Sequence, residues 1–446
     1  MLVFDPPELQ EKVLSFIKKL SFLKDGHIED IEFKDILNID SYHNHDCVIT
    51  KGSDVYFYMS GADLPSISVE DILDILNGWD SASINEIQSY AKYNNGVDFL
   101  INVNDYESIA LLDELKAATH DIVNDVPGGT ELWKTRICVA QKAYYVSLFN
   151  GFCKYHLLVE KSGNFDKYYP SFSPYDYFVR VTRDEKSDKT RDVTSGATSD
   201  ERIDMKIADD LAIAYAFELY ATHNLIFNFS EGRPDPPYHY DNENTQSNYQ
   251  IFSLLHGRGI SELLKIYNTA KTTYNIDYKI LSFTKVIEYI SPTIAQMKLF
   301  DEVQLKLTDA DVFSPTSKYI GELGEIYRKY QNDANKDSEL IRLAVANLIK
   351  LSDVWDLIPE YLKPKNVDQI DKLDETAEEL CLSNLIAAIY DTRNEIAHAK
   401  ANYEKKGNEC PTKFKEQFCQ TLDAIAVRCI RWFSVQPENR RVVATQ

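Results

Sequence analysis

Apolar residues recur at three- and four-residue steps through most of the second half of the chain. Leu382, Leu385, Ile386 and Ile389 form one such stripe and predict an amphipathic helix over residues 373–399. Phe414, Phe418, Leu422, Ile425, Cys429 and Trp432 predict another over 412–433. Ile280, Phe283, Ile287 and Ile290 predict a third over 278–290, which Pro292 is expected to stop. Further helices are expected over 249–274, interrupted at Gly257–Gly259, and over 320–330 and 339–351. Short connections between helices favour an all-α bundle spanning residues 246–446.

The first half has a mixed pattern. Residues 1–126 are expected to form an α+β domain. It opens with a helix after Pro6 and Pro7 that buries Leu9, Val13, Phe16, Ile17 and Leu20. A β-hairpin follows, from Cys47–Thr50 and Val55–Met59, then helices at 69–76 and 84–93, a strand at 97–103 and a helix at 107–118. Residues 127–245 are expected to be a helical region. An aromatic-rich helical stretch over 130–158 precedes an aperiodic, flexible loop at 161–202 and a helix at 203–225. Three prolines between Gly232 and Asn248 mark the boundary with the C-terminal domain. The fold class expected is α+β and predominantly helical.

Continuing the stripe of the 373–399 helix by one turn reaches Arg393, where an apolar residue would be expected. A guanidinium on a core-facing position is costly unless it is paired or opens onto a cleft. Glu288 and Asp391 are the carboxylates that could support it. The run Asp391-Thr392-Arg393-Asn394-Glu395-Ile396-Ala397-His398 resembles the R-x4–6-H motif of the HEPN superfamily. The resemblance covers roughly residues 250–435 and does not reach the first half. It implies a helical bundle, metal-independent cleavage of RNA, and catalysis by Arg393 and His398 with help from Asn394. A toxin or antiviral effector is implied on the same ground, with RNA (transfer RNA among the candidates) as substrate and an antitoxin or regulator as a further partner. A second formal match, Arg233 to His239, contains three prolines in the four residues after the arginine and is excluded from a helix.

The chemistry suits those residue types. RNA breaks without a metal when its 2′-OH attacks the adjacent phosphate, leaving a 2′,3′-cyclic phosphate. Histidine, with an ordinary pKa near 6.5, can move the proton. Arginine stays charged and offers parallel donors to phosphate oxygens. Asn394 lies four residues from His398 and so could orient it, or a phosphate oxygen. Residues five apart on a helix are separated by about 7.5 Å along the axis and about 140° around it. One motif therefore makes no compact site unless the helix is distorted, and the resemblance implies a homodimer in which two motifs face each other across a two-fold axis. No metal and no cofactor are called for. The rival reading is a non-catalytic helical interaction or ligand-sensing module in which Arg393 is merely an ion-paired structural residue.

Charge sharpens this picture. The 446-residue chain carries a net −22, which argues against a general nucleic-acid coat. Residues 1–100 hold 18 acidic and 7 basic side chains, whereas after His398 there are 9 Lys/Arg against 5 Asp/Glu. Lys400, Lys405 and Lys406, with Lys413 and Lys415 beyond, are therefore candidates for an anion-attracting rim beside the motif. His256 and Arg258 are a further candidate basic pair. His43, His45, Asp46 and Cys47 are too crowded to serve one metal ion, and no downstream pair has zinc-like spacing. Seven cysteines without a CxxC pair suggest free thiols, and the absence of a signal peptide or an 18-residue apolar run suggests a cytoplasmic protein away from membranes.

Overall fold

The first of two compact units, Met1–Leu254, is organised on an antiparallel sheet, and the second, Leu255–Gln446, on one long helix. The structure is a computed structural model. It describes residues 12, 15, 47–51, 54–58, 66–68, 72–73, 75–76, 83–85, 90–103, 106–119, 130–151, 153–161, 176–184, 202–229, 251, 253–334, 336–365, 367, 369–398 and 404–443.

Strands β1 (Cys47–Lys51), β2 (Asp54–Tyr58) and β3 (Ser66–Ser68) form a small antiparallel sheet, whose first pair is the expected hairpin. The larger sheet has the order β4 (Ser83–Asn85), β5 (Tyr90–Tyr93), β6 (Gly96–Asn102), β9 (Tyr177–Arg183), β8 (Lys142–Asn150), β7 (Thr130–Val139). β10 (Asn228–Phe229) pairs with the end of β6 that β5 leaves uncovered. Consecutive residues of β6 and β8 are buried, so these strands are covered on both faces. Helix α1 (Tyr106–Thr119) packs on β7, α2 (Lys154–Lys161) on β4 and β5, and α3 (Met205–His223) on β6, β8 and β9. Buried alanines 208, 212, 214 and 216 let α3 lie close to the sheet.

Here the structure corrects the sequence reading. Within 130–150 the chain forms two strands, not a helix, and the described part of the helical region expected over 127–245 holds four strands beside two helices. The hairpin of β7 and β8 turns at Ala140 and Gln141, both with positive φ (48° and 68°), at a site where Asn-Gly would be the usual signal. In β8, burial on both faces removed the alternation by which a strand is recognised. Residues 83–85 and 90–93 are likewise strands rather than a helix. Strand β9 falls inside the stretch expected to be loop, and Phe178, Val179 and Val181 are fully buried. The helix expected after Pro7 lies almost wholly outside the described residues. His43, His45 and Asp46, the Arg233–His239 match and the proline-rich boundary also lie outside them.

Inside the larger sheet Asp98 faces Arg180 directly across β6 and β9. Arg180 Nε donates to Asp98 Oδ1 at 2.8 Å and Nη2 to Oδ2 at 3.1 Å, while Tyr93 Oη donates to Oδ1 at 3.1 Å. His156 is buried too. Its Nδ1 accepts the Cys153 N–H at 3.0 Å, which leaves Nε2 as donor to Asp176 Oδ2 at 3.0 Å. This histidine has a structural role.

In the second unit α5 (Ile276–Lys306) touches every other long helix: α4 (Ile260–Thr272), α6 (Ser317–Ala334), α7 (Asp337–Leu348), α8 (Glu375–Ala397) and α9 (Lys415–Val435). Asn275 caps α5 by accepting from the N–H groups of Asp277 and Tyr278, and Asp374 caps α8 by accepting from Ala377. Contrary to expectation, α5 runs through Pro292 for fourteen more residues. An interior proline costs about 3 kcal/mol. Burial of Ile287, Ile290, Ile294 and Ala295 against the neighbouring helices offsets it. Residues 251 and 253–259 are not helical, and α4 starts only after Gly259 (φ 77°). Arg258 serves that break, its N–H donating to Glu438 and its carbonyl accepting from Arg441. Among the described residues, no helix is long and apolar enough to cross a membrane.

Cys153, Cys381, Cys410, Cys419 and Cys429 are buried, and Cys138 is exposed. Burial raises the thiols of the buried five, to about 12 for Cys419 and Cys429. Iodoacetamide at neutral pH should therefore alkylate Cys138 well before these five, as peptide mapping over time would reveal. Equal rates at Cys138 and Cys429 would contradict the packing described.

Candidate active site

Helix α8 is positioned by a buried stripe of Cys381, Leu385, Ala388, Ile389 and Thr392. Thr392, fully buried, continues the stripe; Arg393 lies beside it, half-buried, rather than on it as the periodicity suggested. Arg393 Nε is 2.9 Å from Glu288 Oε1 on α5. The contact is an ion pair without hydrogen-bond alignment, since Oε1 is buried and has no aligned donor. Arg393 Nη1 donates to Asn394 Oδ1 at 3.0 Å, and Nη2 lies 3.9 Å from Asp337 Oδ2 at the start of α7. One guanidinium thus meets two carboxylates and an amide from three helices.

Burial raises the Glu288 carboxyl above its ordinary range, and Arg393 only partly offsets this. Glu288 also stands four residues before Pro292, so its main-chain carbonyl lacks the usual helical N–H donor. The proline therefore loosens the turn that carries the arginine's partner.

His398 is the C-cap of α8, its N–H donating to the Asn394 carbonyl at 2.9 Å, and its residue is exposed. The Asn394 side chain turns towards Arg393 and not towards His398. Asp391 does not support Arg393. It is buried and accepts from Lys406 Nζ at 3.1 Å and Asn408 Nδ2 at 2.9 Å. Lys405 pairs with Glu395 at 2.6 Å, and the Cys410 N–H donates to Thr392 Oγ1 at 2.8 Å. Glu409 accepts the N–H groups of Lys406 and Gly407, closing a tight loop at Gly407 (φ 93°).

Residues 404–410 therefore staple the last two turns of α8. Each of the two lysines read as an anion-attracting rim already faces a carboxylate, which raises its pKa. Lys400 lies outside the described residues. Asp337 and Glu395 were missed in the sequence. Both act through tertiary contacts that no spacing announces.

Asp391→Ala should free this loop and leave the Asn408 amide without its acceptor, at a cost of about 1–3 kcal/mol. Hydrogen exchange should rise across 404–410 and at the end of α8. Unchanged protection there would count against the staple.

Among the described residues no group of three or more His, Cys, Asp or Glu could hold a metal ion. The chemistry on offer is a fixed cation, an amide and an exposed imidazole at one helix end. Comparison with family models, with curated proteins and with solved structures found no match. The likeness to HEPN proteins therefore rests on Arg393-Asn394-x-x-x-His398 and its helical setting.

Proposed function

We propose that this protein is a metal-independent endoribonuclease of the HEPN type, acting as a homodimer and producing 2′,3′-cyclic phosphate ends. The observation that carries the reading is the treatment of the two motif residues. Arg393 is gripped on Nε by Glu288 and on Nη1 by Asn394, whereas His398 is exposed at the helix end. A preorganised cation and an accessible imidazole near the end of the same helix suit a reaction in which charge develops on phosphate while a proton moves. Two copies related by a two-fold axis would bring a second such pair to the site. A role as toxin or antiviral effector, with transfer RNA among its substrates, belongs to this reading by resemblance.

Arg393's internal ion pair favours one rival, a non-catalytic interaction module with a degenerate motif. The test is to incubate purified protein with RNA in a metal chelator and analyse the product ends. Cyclic phosphate ends, formed by a dimer in solution, support the ribonuclease. Intact RNA, or a strict monomer, supports the rival.

A further inference from the structure

The two carboxylates on Arg393 are not equivalent. Glu288 sits mid-helix on α5, is about three-quarters buried by its 26% side-chain exposure, and holds Nε at 2.9 Å. Asp337 is the first residue of α7, is 62% exposed, and stands 3.9 Å from Nη2, beyond hydrogen-bond reach.

An arginine has five N–H donors. Nε lies 2.9 Å from Glu288 Oε1 as an ion pair, and one Nη1 hydrogen goes to Asn394. Among the described residues, the remaining Nη1 hydrogen and both Nη2 hydrogens have no hydrogen-bond acceptor. One Nη1 and one Nη2 hydrogen make an edge that the two non-bridging oxygens of a phosphodiester would engage in parallel, and the other Nη2 hydrogen points along the Nε side.

Resting on the ribonuclease reading above, we propose that Asp337 is a resident competitor: its carboxylate holds the ground a substrate phosphate takes on Arg393, and must swing aside for RNA to bind. Glu288 is the complementary positioning residue, keeping the guanidinium aimed while that edge changes partner.

The physical case is one of charge and mobility. With both carboxylates ionised, Arg393 faces two negative charges, with Lys285 a further cation acting on Glu288, so a phosphodiester reaching the guanidinium competes with Asp337 for it. Asp337, exposed and at outer ion-pair distance, has little to lose by leaving. Glu288 has more to lose, because its departure would leave a part-buried guanidinium with only the more distant Asp337. Asp337 also belongs in the first turn of α7, where negative charge is favourable. That accounts for an aspartate at this position, and leaves its approach to Arg393 as a separate fact.

The two acids should therefore behave oppositely on substitution. Asp337→Asn should lower KM for RNA about fivefold, with a smaller change in kcat, the scale of one exposed ion pair. The same substitution should tighten binding of a 2′-O-methyl oligonucleotide, which cannot be cleaved, by a similar factor. The gain should shrink in high salt and vanish in an Arg393→Ala background. Glu288→Ala should lower kcat more than it changes KM, and Glu288→Gln should restore part of the rate, since its amide oxygen can still face Nε.

An unchanged KM and oligonucleotide affinity for Asp337→Asn would overturn the competitor. So would a gain that persists without Arg393, because that would be a general effect of charge. If wild-type protein cleaves nothing but Asp337→Asn still tightens oligonucleotide binding through Arg393, the competitor stands and only the ribonuclease reading falls. If wild-type protein neither cleaves RNA nor binds the oligonucleotide, both fall.

Discussion

His398→Ala stops RNA cleavage and leaves the protein as stable as wild type. The loss expected is about 10²–10⁴-fold in kcat, the usual contribution of a positioned general acid or base. The fold should tolerate the change because the imidazole is exposed and the cap bond is made by the main chain, whose N–H still reaches Asn394 in the variant. Thermal unfolding followed beside product formation checks both halves. Full activity in the variant would remove His398 from the reaction and take the proposed mechanism with it. Arg393→Ala should be as inactive, for the different reason that the cation at the phosphate is gone. Mixing the two inactive variants then asks where the site lies. Cleavage by the mixture, with neither variant active alone, would identify a site assembled from two copies.

The second unit was the more legible half, and the reason is physical. Its helices each bury one face, so the apolar positions keep a 3.6-residue period, and residues such as Asn275 and Asp374 sit where capping requires them. Pro292 misled because helix propensity is a local preference and the burial on both sides of it is not. In the first unit the sheet was hidden by its own packing. β8 reads Lys-Ala-Tyr-Tyr-Val-Ser-Leu-Phe-Asn, with almost every position buried, and a helix and a strand look alike in such a run. Ala140 and Gln141 gave no sign of the left-handed turn they adopt. At the site, Glu288 could be anticipated as Arg393's partner because both are charged residues on predicted amphipathic helices. The carboxylate partners of Lys405 and Lys406 were hidden because a run of cations looks the same whether it faces solvent or Glu395 and Asp391.

Asp98→Ala should produce the largest loss of stability, on the order of 3–5 kcal/mol, confined to the first unit. Asp98 is fully buried, and its two oxygens accept two hydrogen bonds from Arg180 and one from Tyr93. Burial opposes the Arg180 charge, yet the guanidinium is held well above its ordinary pKa because Asp98 more than offsets that burial. Removing the carboxylate strands a cation between β6 and β9, with the Phe149 ring at 3.9 Å as its remaining favourable neighbour. A cation–π contact is worth about 2 kcal/mol when desolvated, too little to replace a bidentate pair. Asp98→Asn should lose less, since the amide oxygen still accepts one of the bonds. Replacing both partners with apolar residues of similar volume, as in Asp98→Leu with Arg180→Met, should recover most of the loss, because the penalty comes from the unpaired charge and not from the missing bridge. Chemical denaturation of the three variants measures the order. A single Asp98→Ala variant as stable as wild type would mean that water or a shifted neighbour solvates Arg180, and that the sheet interior is looser than its buried strands imply.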